Sequence, residues 1–334
     1  MADHDLSPPV VARVRDAADM LEVVSEHVAL KRRGRNWVGL CPFHEEKTPS
    51  FSVNPEKGLY YCFGCHAGGD VIDFVMRLNR MDFPEAVEYL ARRFGVELPA
   101  RSPDQLRRRR AAQRTAGILE EAQRFFVARL ARPDAAAARR TLVERGFPEE
   151  SWADYGFGYA PDDWRQLLEA LGRRHPVQAL IDAGLAVTPD RGGQPYDRFR
   201  NRITFPIRAT DGKLIAFGGR ALGDTEPKYL NSPENDLFRK RSVLFMLDRA
   251  RRAIADAGSV LVVEGYFDCL SLHRAGVTNA VATLGTSLTR EHARLLRRLT
   301  PRVILAYDAD AAGRRAAAQG ARRCRPVADA TPLE

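Results

Sequence analysis

Two short knuckles, Cys41-Pro42-Phe43-His44 and Cys62-Phe63-Gly64-Cys65, restrict this chain more than anything else in its sequence. A single tight turn can aim two ligand-type side chains two residues apart at one ion, and strand-like runs between the knuckles can bring the two turns within tetrahedral reach. Three thiols and one imidazole fill four positions and leave none for water. The zinc expected at Cys41, His44, Cys62 and Cys65 is therefore structural, holding a small β unit too poor in apolar residues to fold securely alone. Of the other residues of these types, Cys269 and Cys324 fall in apolar helical patterns and read as core thiols, and His66 is either an alternative ligand or a surface imidazole.

Periodicity organises the rest. Val10 to Ala29 reads as a helix, Asn36 to Leu40, Ser50 to Val53 and Leu59 to Cys62 as strands, and Val71 to Leu78 and Pro84 to Phe94 as helices. Around the knuckles, Arg33, Arg35, Trp37, Lys47, Phe51, Tyr60, Tyr61 and Phe63 interleave cations with aromatics, the composition of a single-strand nucleic-acid reader. Roughly half of those aromatics are needed as core. Pro99 to Thr115, with the block Arg107 to Arg110, reads as a linker or the start of a solvated helix. Helices follow at Ala116 to Ala131 and Ala135 to Arg145, then strands at Ile203 to Arg208 and Leu214 to Phe217. From Val260 three strand-helix units succeed one another, which implies a parallel sheet with helices packed on it. The expected domains are 1–98, a basic linker 99–115, a basic subdomain 116–257 and a sheet subdomain 258–334.

Carboxylates mark the ends of two of those strands. Glu264 directly follows the strand Val260 to Val263, and Asp308 and Asp310 sit just past Val303 to Ala306. Ligands of open α/β sheets bind outside the carboxyl ends of the strands, so the three acids are expected to converge on one edge. Asp308 and Asp310, two apart on an extended segment, would point the same way. Clustered carboxylates repel one another unless a cation neutralises them, and oxygen ligands suit Mg²⁺ or Mn²⁺, ions that also take substrate phosphates. Asp268 either joins this site or is a helix-start acid favoured by the dipole.

The intervening region is basic. Arg198, Arg200 and Arg202 alternate, as if presenting forked donors to phosphate from one face of an extended segment; Gly218-Gly219 permits either close approach of backbone to phosphate or a bulge. With 52 Lys and Arg against 43 Asp and Glu, the net charge of +9 points to an acidic partner, nucleic acid before membrane. The first residues lack the features of a signal peptide and no stretch approaches the ~20 apolar residues of a membrane span, so a cytoplasmic location is expected.

In combination these segments resemble the bacterial replicative DNA primases of the DnaG type. Gly34 to His44 and Tyr61 to Cys65 are similar to that family's zinc-binding domain; Tyr196 to Pro206, Pro227 to Pro233 and Val262 to Asp268 are similar to its RNA polymerase core, the last opening a Toprim domain. Asp308-Ala309-Asp310 with Ala312-Gly313-Arg314 is similar to the second Toprim motif. The resemblance implies a small zinc-ribbon β domain followed by a mixed α/β polymerase core containing a Toprim-like parallel sheet, an α+β and α/β chain. It implies synthesis of short RNA primers on single-stranded DNA from nucleoside triphosphates, with Mg²⁺ or Mn²⁺ at Glu264, Asp308 and Asp310, and action at the nucleoid. Arg145, Arg202, Lys228 and Lys240 would line a groove for template or nucleotide, and the zinc domain would help engage template. His66 stands where the family usually has glycine, and the sequence stops at Glu334, short of a further acidic motif, a sheet strand and the domain that binds the replicative helicase. A catalytically disabled single-stranded-DNA-binding fragment and a Toprim-type nuclease are the competing classes; topoisomerase chemistry needs a nucleophilic tyrosine, and the segments around Tyr196 and Tyr229 resemble primase instead.

Overall fold

A computed structural model describes residues 4–224, 226–308, 310–324 and 329–332. The chain divides into two compact units, Met1–Arg109 and Arg110–Glu334.

The first unit comprises α1 (Pro8–Ala17), α2 (Met20–Ser25), β1 (Lys31–Arg33), β2 (Asn36–Gly39), β3 (Phe51–Asn54), β4 (Leu59–Cys62), β5 (Gly68–Gly69), α3 (Val71–Asn79) and α4 (Phe83–Arg93). The strands pair in chain order as an antiparallel sheet, with Phe51 opposite Cys62 and Trp37 opposite Val53. Strand periodicity sorts the side chains: Phe51, Val53, Tyr60 and Cys62 point inward, whereas Leu59 and Tyr61 are exposed. The rings of Phe43, Phe51, Tyr60 and Phe74 meet with centroids 5.3–6.1 Å apart. Full burial of Phe51 and Phe74 contributes about 1.5–3 kcal/mol each. The unit is therefore less poor in apolar mass than its strands alone suggest, because Val14, Val23, Val24 and Leu90 of the helices join the same core. The single helix expected over Val10 to Ala29 is two helices. Ala18 is extended, and the Asp19 carboxylate accepts the N–H groups of Leu21 and Glu22 to start α2. Asp70 and Asp82 cap α3 and α4 in the same way, and Arg93 of α4 reaches Glu22 and Glu26 at 2.9 and 2.6 Å.

The second unit begins within α5 (Pro103–Leu130), whose first turns through residue 115 are mostly exposed and whose apolar face is buried from Ile118 onward. From Pro103 on, the segment read as a linker or the start of a solvated helix is thus helix, whereas residues 99–102 are not. There follow α6 (Ala136–Glu144), α7 (Trp152–Tyr155), β6 (Gly158–Ala160), α8 (Gln166–Gly172), α9 (Val177–Asp182), β7 (Ala186–Val187), β8 (Tyr196–Asp197), β9 (Arg202–Arg208), β10 (Leu214–Ala221) and β11 (Tyr229–Asn231). Strands β11-β10-β9-β6 form an antiparallel sheet, and β7 pairs with β8. On β10, a Cβ at Gly218 would stand 2.1 Å from the Phe205 ring and one at Gly219 2.8 Å from Phe199. This glycine pair makes room for two buried phenylalanines, and the sheet's register shift lies elsewhere, between Leu214 and Ala216.

The chain then alternates through α10 (Leu247–Ala257), β12 (Ser259–Val263), α11 (Tyr266–Arg274), β13 (Ala280–Ala282), α12 (Arg290–Arg297), β14 (Arg302–Leu305), α13 (Ala311–Cys324) and β15 (Asp329–Pro332). All pairings in this second sheet are parallel, in the order β13-β12-β14-β15. Of its two inner strands, β12 buries Val260, Val262 and Val263. Sequence periodicity found three of these strands; β15 escaped it because four residues ending in proline carry no readable alternation. Ala309 and the Cys324 side chain, on which two expectations fell, lie outside the described residues. No helix among the described residues is long and apolar enough to cross a membrane.

Candidate active site and metal centre

In the first unit, the turn after β2 and the end of β4 bring Cys41, His44, Cys62 and Cys65 together, with one ligand atom from each lying within 4.8 Å of the others. Cys41 Sγ is 3.8 Å from Cys65 Sγ, and Cys62 Sγ is 3.9 Å from His44 Nδ1. A tetrahedron built on bonds of ~2.3 Å has edges of about 3.8 Å, so the donor set fits zinc in both chemistry and spacing. Each knuckle turns one amide onto its own sulfur: Phe43 N–H donates to Cys41 Sγ and Cys65 N–H to Cys62 Sγ, both at 3.4 Å. Gly64 lets the second knuckle close, since a Cβ there would lie 2.7 Å from His44 Nε2. His66 stands outside the four. Its φ is +59°, and its Nδ1 meets the Tyr61 hydroxyl at 2.9 Å on the exposed face that also carries Phe63. Of the aromatics in question, Phe51 and Tyr60 are core, Trp37 is half-buried, and Tyr61 and Phe63 are exposed with centroids 5.0 Å apart.

In the second unit, the parallel register sets Val262 opposite Leu305, so Glu264 and the Asp308 segment leave adjacent strands at the same edge. Glu264 is exposed, but partial desolvation at the strand end pushes its carboxyl pKa up, and Asp308, Asp310 and Asp268 add to the rise. Glu264 thus feels the other three acids through space. Their oxygens are less convergent than the zinc ligands, which are the one ion-sized cluster among the described residues. Asp310 also has a structural duty: its Oδ1 accepts the Gly313 N–H at 2.7 Å at the start of α13, leaving Oδ2 outside that cap. Gly313 is required for this turn, since a Cβ would stand 2.1 Å from the Asp308 carbonyl oxygen. Asp268 is exposed in the first turn of α11 and folds back over Gly265.

Glu264 borders a cavity of about 290 Å³ lined also by Arg198, Tyr229, Asn231, Lys240 and Tyr266. Asn231 ties the two sheets together there. Its Oδ1 accepts the Tyr266 hydroxyl, its Nδ2 donates to the Leu284 carbonyl at 3.1 Å, and its carbonyl accepts Arg198 Nε and Nη2 at 2.9 and 2.8 Å. A neighbouring cavity of about 420 Å³ gathers Arg198, Arg200 and Arg202 with Trp164 and Tyr196. The arginines converge, but not as a row on an extended strand. Asn201 has φ +50°, which breaks the alternation, and only Arg202 belongs to β9. Arg202 is buried and donates to the Pro227 carbonyl at 2.7 Å; burial, with Arg200 and Arg198 nearby, holds its pKa below the usual range. Arg200 donates to the Asp197 carbonyl and stacks over Trp164 at 4.1 Å and Tyr196 at 4.8 Å. Lys228 is exposed beside this groove's Pro227. Arg145 lies in a third, more open cavity of about 590 Å³ with Arg220, both guanidiniums over the Phe267 ring at 4.7 and 5.6 Å.

Sequence reasoning missed Trp164, Tyr196, Asn231 and Tyr266 as site-lining groups. Trp164 did leave a signal: it sits in Pro161-Asp162-Asp163-Trp164-Arg165, outside any apolar period, and is 61% exposed.

Three family models match: CHC2 zinc finger over residues 6–106, DNA primase catalytic core, N-terminal domain over 125–251, and Toprim domain over 258–332. The DNA primase of Halalkalibacterium halodurans is 46% identical over 305 residues, covering 91% of this chain and 51% of that protein. The Escherichia coli K12 DNA primase is 45% identical over 303 residues, 90% of this chain and 52% of that one. The chain spans about half the length of the curated relatives it matches. Among solved structures, the zinc-binding and RNA polymerase domains of the Aquifex aeolicus primase are 33% identical, with a TM-score of 0.60 over 97% of this chain and 78% of that one. A DnaG primase catalytic domain bound to single-stranded DNA is 43% identical, with a TM-score of 0.60 over 65% of this chain and 68% of that one.

Proposed function

The chain belongs to the family of bacterial DnaG-type DNA primases, and from this we propose that it carries out template-directed synthesis of short RNA primers on single-stranded DNA. The observation that carries the reading is the placement of Glu264. It leaves an inner strand of a parallel sheet beside Asp308 and Asp310 and borders a cavity whose other walls include Arg198 and Lys240. Acids that repel one another facing cations suit a substrate that is itself anionic and arrives with metal.

In this reading Glu264, Asp308 and the Oδ2 side of Asp310 hold Mg²⁺ or Mn²⁺, with Asp268 as an outlying acid. The ion would supply charge stabilisation on triphosphate oxygens and a lowered pKa for the attacking 3′-hydroxyl. Lys240 and Arg198 would orient the nucleotide's phosphates. Arg200, stacked on Trp164 and Tyr196, would guide template together with Arg202 and Lys228, and Arg145 would hold phosphate farther along. Residues 1–98 would engage template through the exposed Tyr61 and Phe63, 99–115 would join them to the basic subdomain 116–257, and 258–334 would carry the metal-binding edge. The Cys41, His44, Cys62 and Cys65 centre would hold one structural zinc. A place at the nucleoid completes the proposal.

The test is incorporation of labelled ribonucleotides on single-stranded DNA with Mg²⁺ or Mn²⁺, beside a Glu264→Gln variant checked for zinc content and folding. Short RNA made by the parent and lost in the variant is the expected result. No product from a folded parent that still binds DNA would overturn catalysis in favour of a binding role, and cleavage of plasmid DNA would favour a nuclease.

A further inference from the structure

Glu46 follows the first knuckle by two residues, and among the described residues it is the one carboxylate in contact with that knuckle's backbone and ligand ring at once. Its Oε1 accepts the N–H of Cys41 at 2.8 Å and that of Ser50 at 3.1 Å. Its Oε2 accepts the Ser50 hydroxyl and lies 3.2 Å from His44 Nε2. The Ser50 Oγ in turn stands 3.2 Å from Cys62 Sγ, so the contacts run from one knuckle to the other. The Glu46 side chain is only 11% exposed, whereas its neighbour Glu45 is exposed.

An imidazole can offer a metal only one nitrogen lone pair, and the partner of the other nitrogen decides which. At His44, Nδ1 faces Cys62 Sγ while Nε2 faces the carboxylate. We propose that Glu46 is a positioning residue of the zinc centre: it holds His44 as the Nε2–H tautomer with Nδ1 aimed at the ion, and pins the Cys41 turn so that the ligands are placed before the ion arrives. The proposal rests on the zinc assignment. Outer-shell carboxylates on metal-bound histidines typically change metal affinity by roughly 10–100-fold when removed.

Glu46→Gln keeps the side chain's shape, but its NH₂ end cannot accept from His44, so the ring loses its anchor. In the full chain, competition with a chelating dye should show zinc bound about 10–100-fold more weakly by this variant, with Glu45→Gln unchanged. Cobalt(II) in the same centre should show shifted ligand-field bands in Glu46→Gln only, which a carboxylate that merely braces the loop would not produce. The zinc-loaded parent supplies a readout that needs no variant: nitrogen-15 NMR of the His44 ring should find the proton on Nε2 and the metal on Nδ1. A proton on Nδ1, or Glu46→Gln with parental zinc affinity and cobalt spectrum, overturns the proposal while leaving the zinc assignment intact. A folded parent that binds no zinc overturns both.

Discussion

Replacing Asp197 by Asn should make the protein's stability respond differently to pH. This carboxylate is 3% exposed, accepts the N–H groups of Leu167 and Leu168 at 2.7 and 2.9 Å, and begins the segment that carries Arg198, Arg200 and Arg202. Burial pushes its pKa from 3.8 up to about 6, outweighing the two amide donors, and Asp163 reinforces the rise against a smaller pull from Arg165. Between those values the folded chain binds a proton that the unfolded chain has released. Stability from this group is therefore fully present below about pH 3.8 and is lost as pH rises through about 6. The rise corresponds to about 3 kcal/mol, worked from 1.36 kcal/mol per pH unit. Asn is close in shape to the protonated acid and does not titrate. The difference in unfolding free energy between Asp197→Asn and its parent should move by about 2.4 kcal/mol in the variant's favour between about pH 4 and about pH 7. Urea unfolding followed by fluorescence in a Trp37→Phe background would read this from Trp152 and Trp164, both in the second unit. A difference that stays constant across that range would refute the reasoning.

Two glycines should respond oppositely to alanine. Gly218→Ala drives a Cβ into the buried Phe205 ring and should cost about 1–3 kcal/mol, whereas Gly117→Ala, inside α5 with nothing within 4 Å, should gain about 0.5–1 kcal/mol, both read from urea midpoints. If Arg200 contacts a template phosphate, Arg200→Ala should reduce the slope of log Kobs against log salt for single-stranded DNA by about 0.7, measured by fluorescence anisotropy. An unchanged slope would confine Arg200 to its contacts with Trp164, Tyr196 and the Asp197 carbonyl.

What could be read directly from sequence was what local spacing governs. The Cys and His knuckles announce themselves because metal geometry demands short separations within each turn, and Glu264 because a β-strand's end is also its neighbour's end in a parallel sheet. The alternating texture of β12 to α13 disclosed the sheet for the same reason. Tertiary structure decided the rest, since it depended on segments distant in sequence. Arg198 is anchored by the carbonyl of Asn231 and Arg202 by that of Pro227, 33 and 25 residues on, so three arginines that alternate in sequence converge through separate anchors instead of lining one strand face. Gly218 answers to Phe205 on β9, Gly219 to Phe199 in the loop before it, and Asn231 to a tyrosine beyond β12. A motif shows which groups are present; a donor's partner, and therefore its remaining capacity for a ligand, is settled only when distant backbone closes around it.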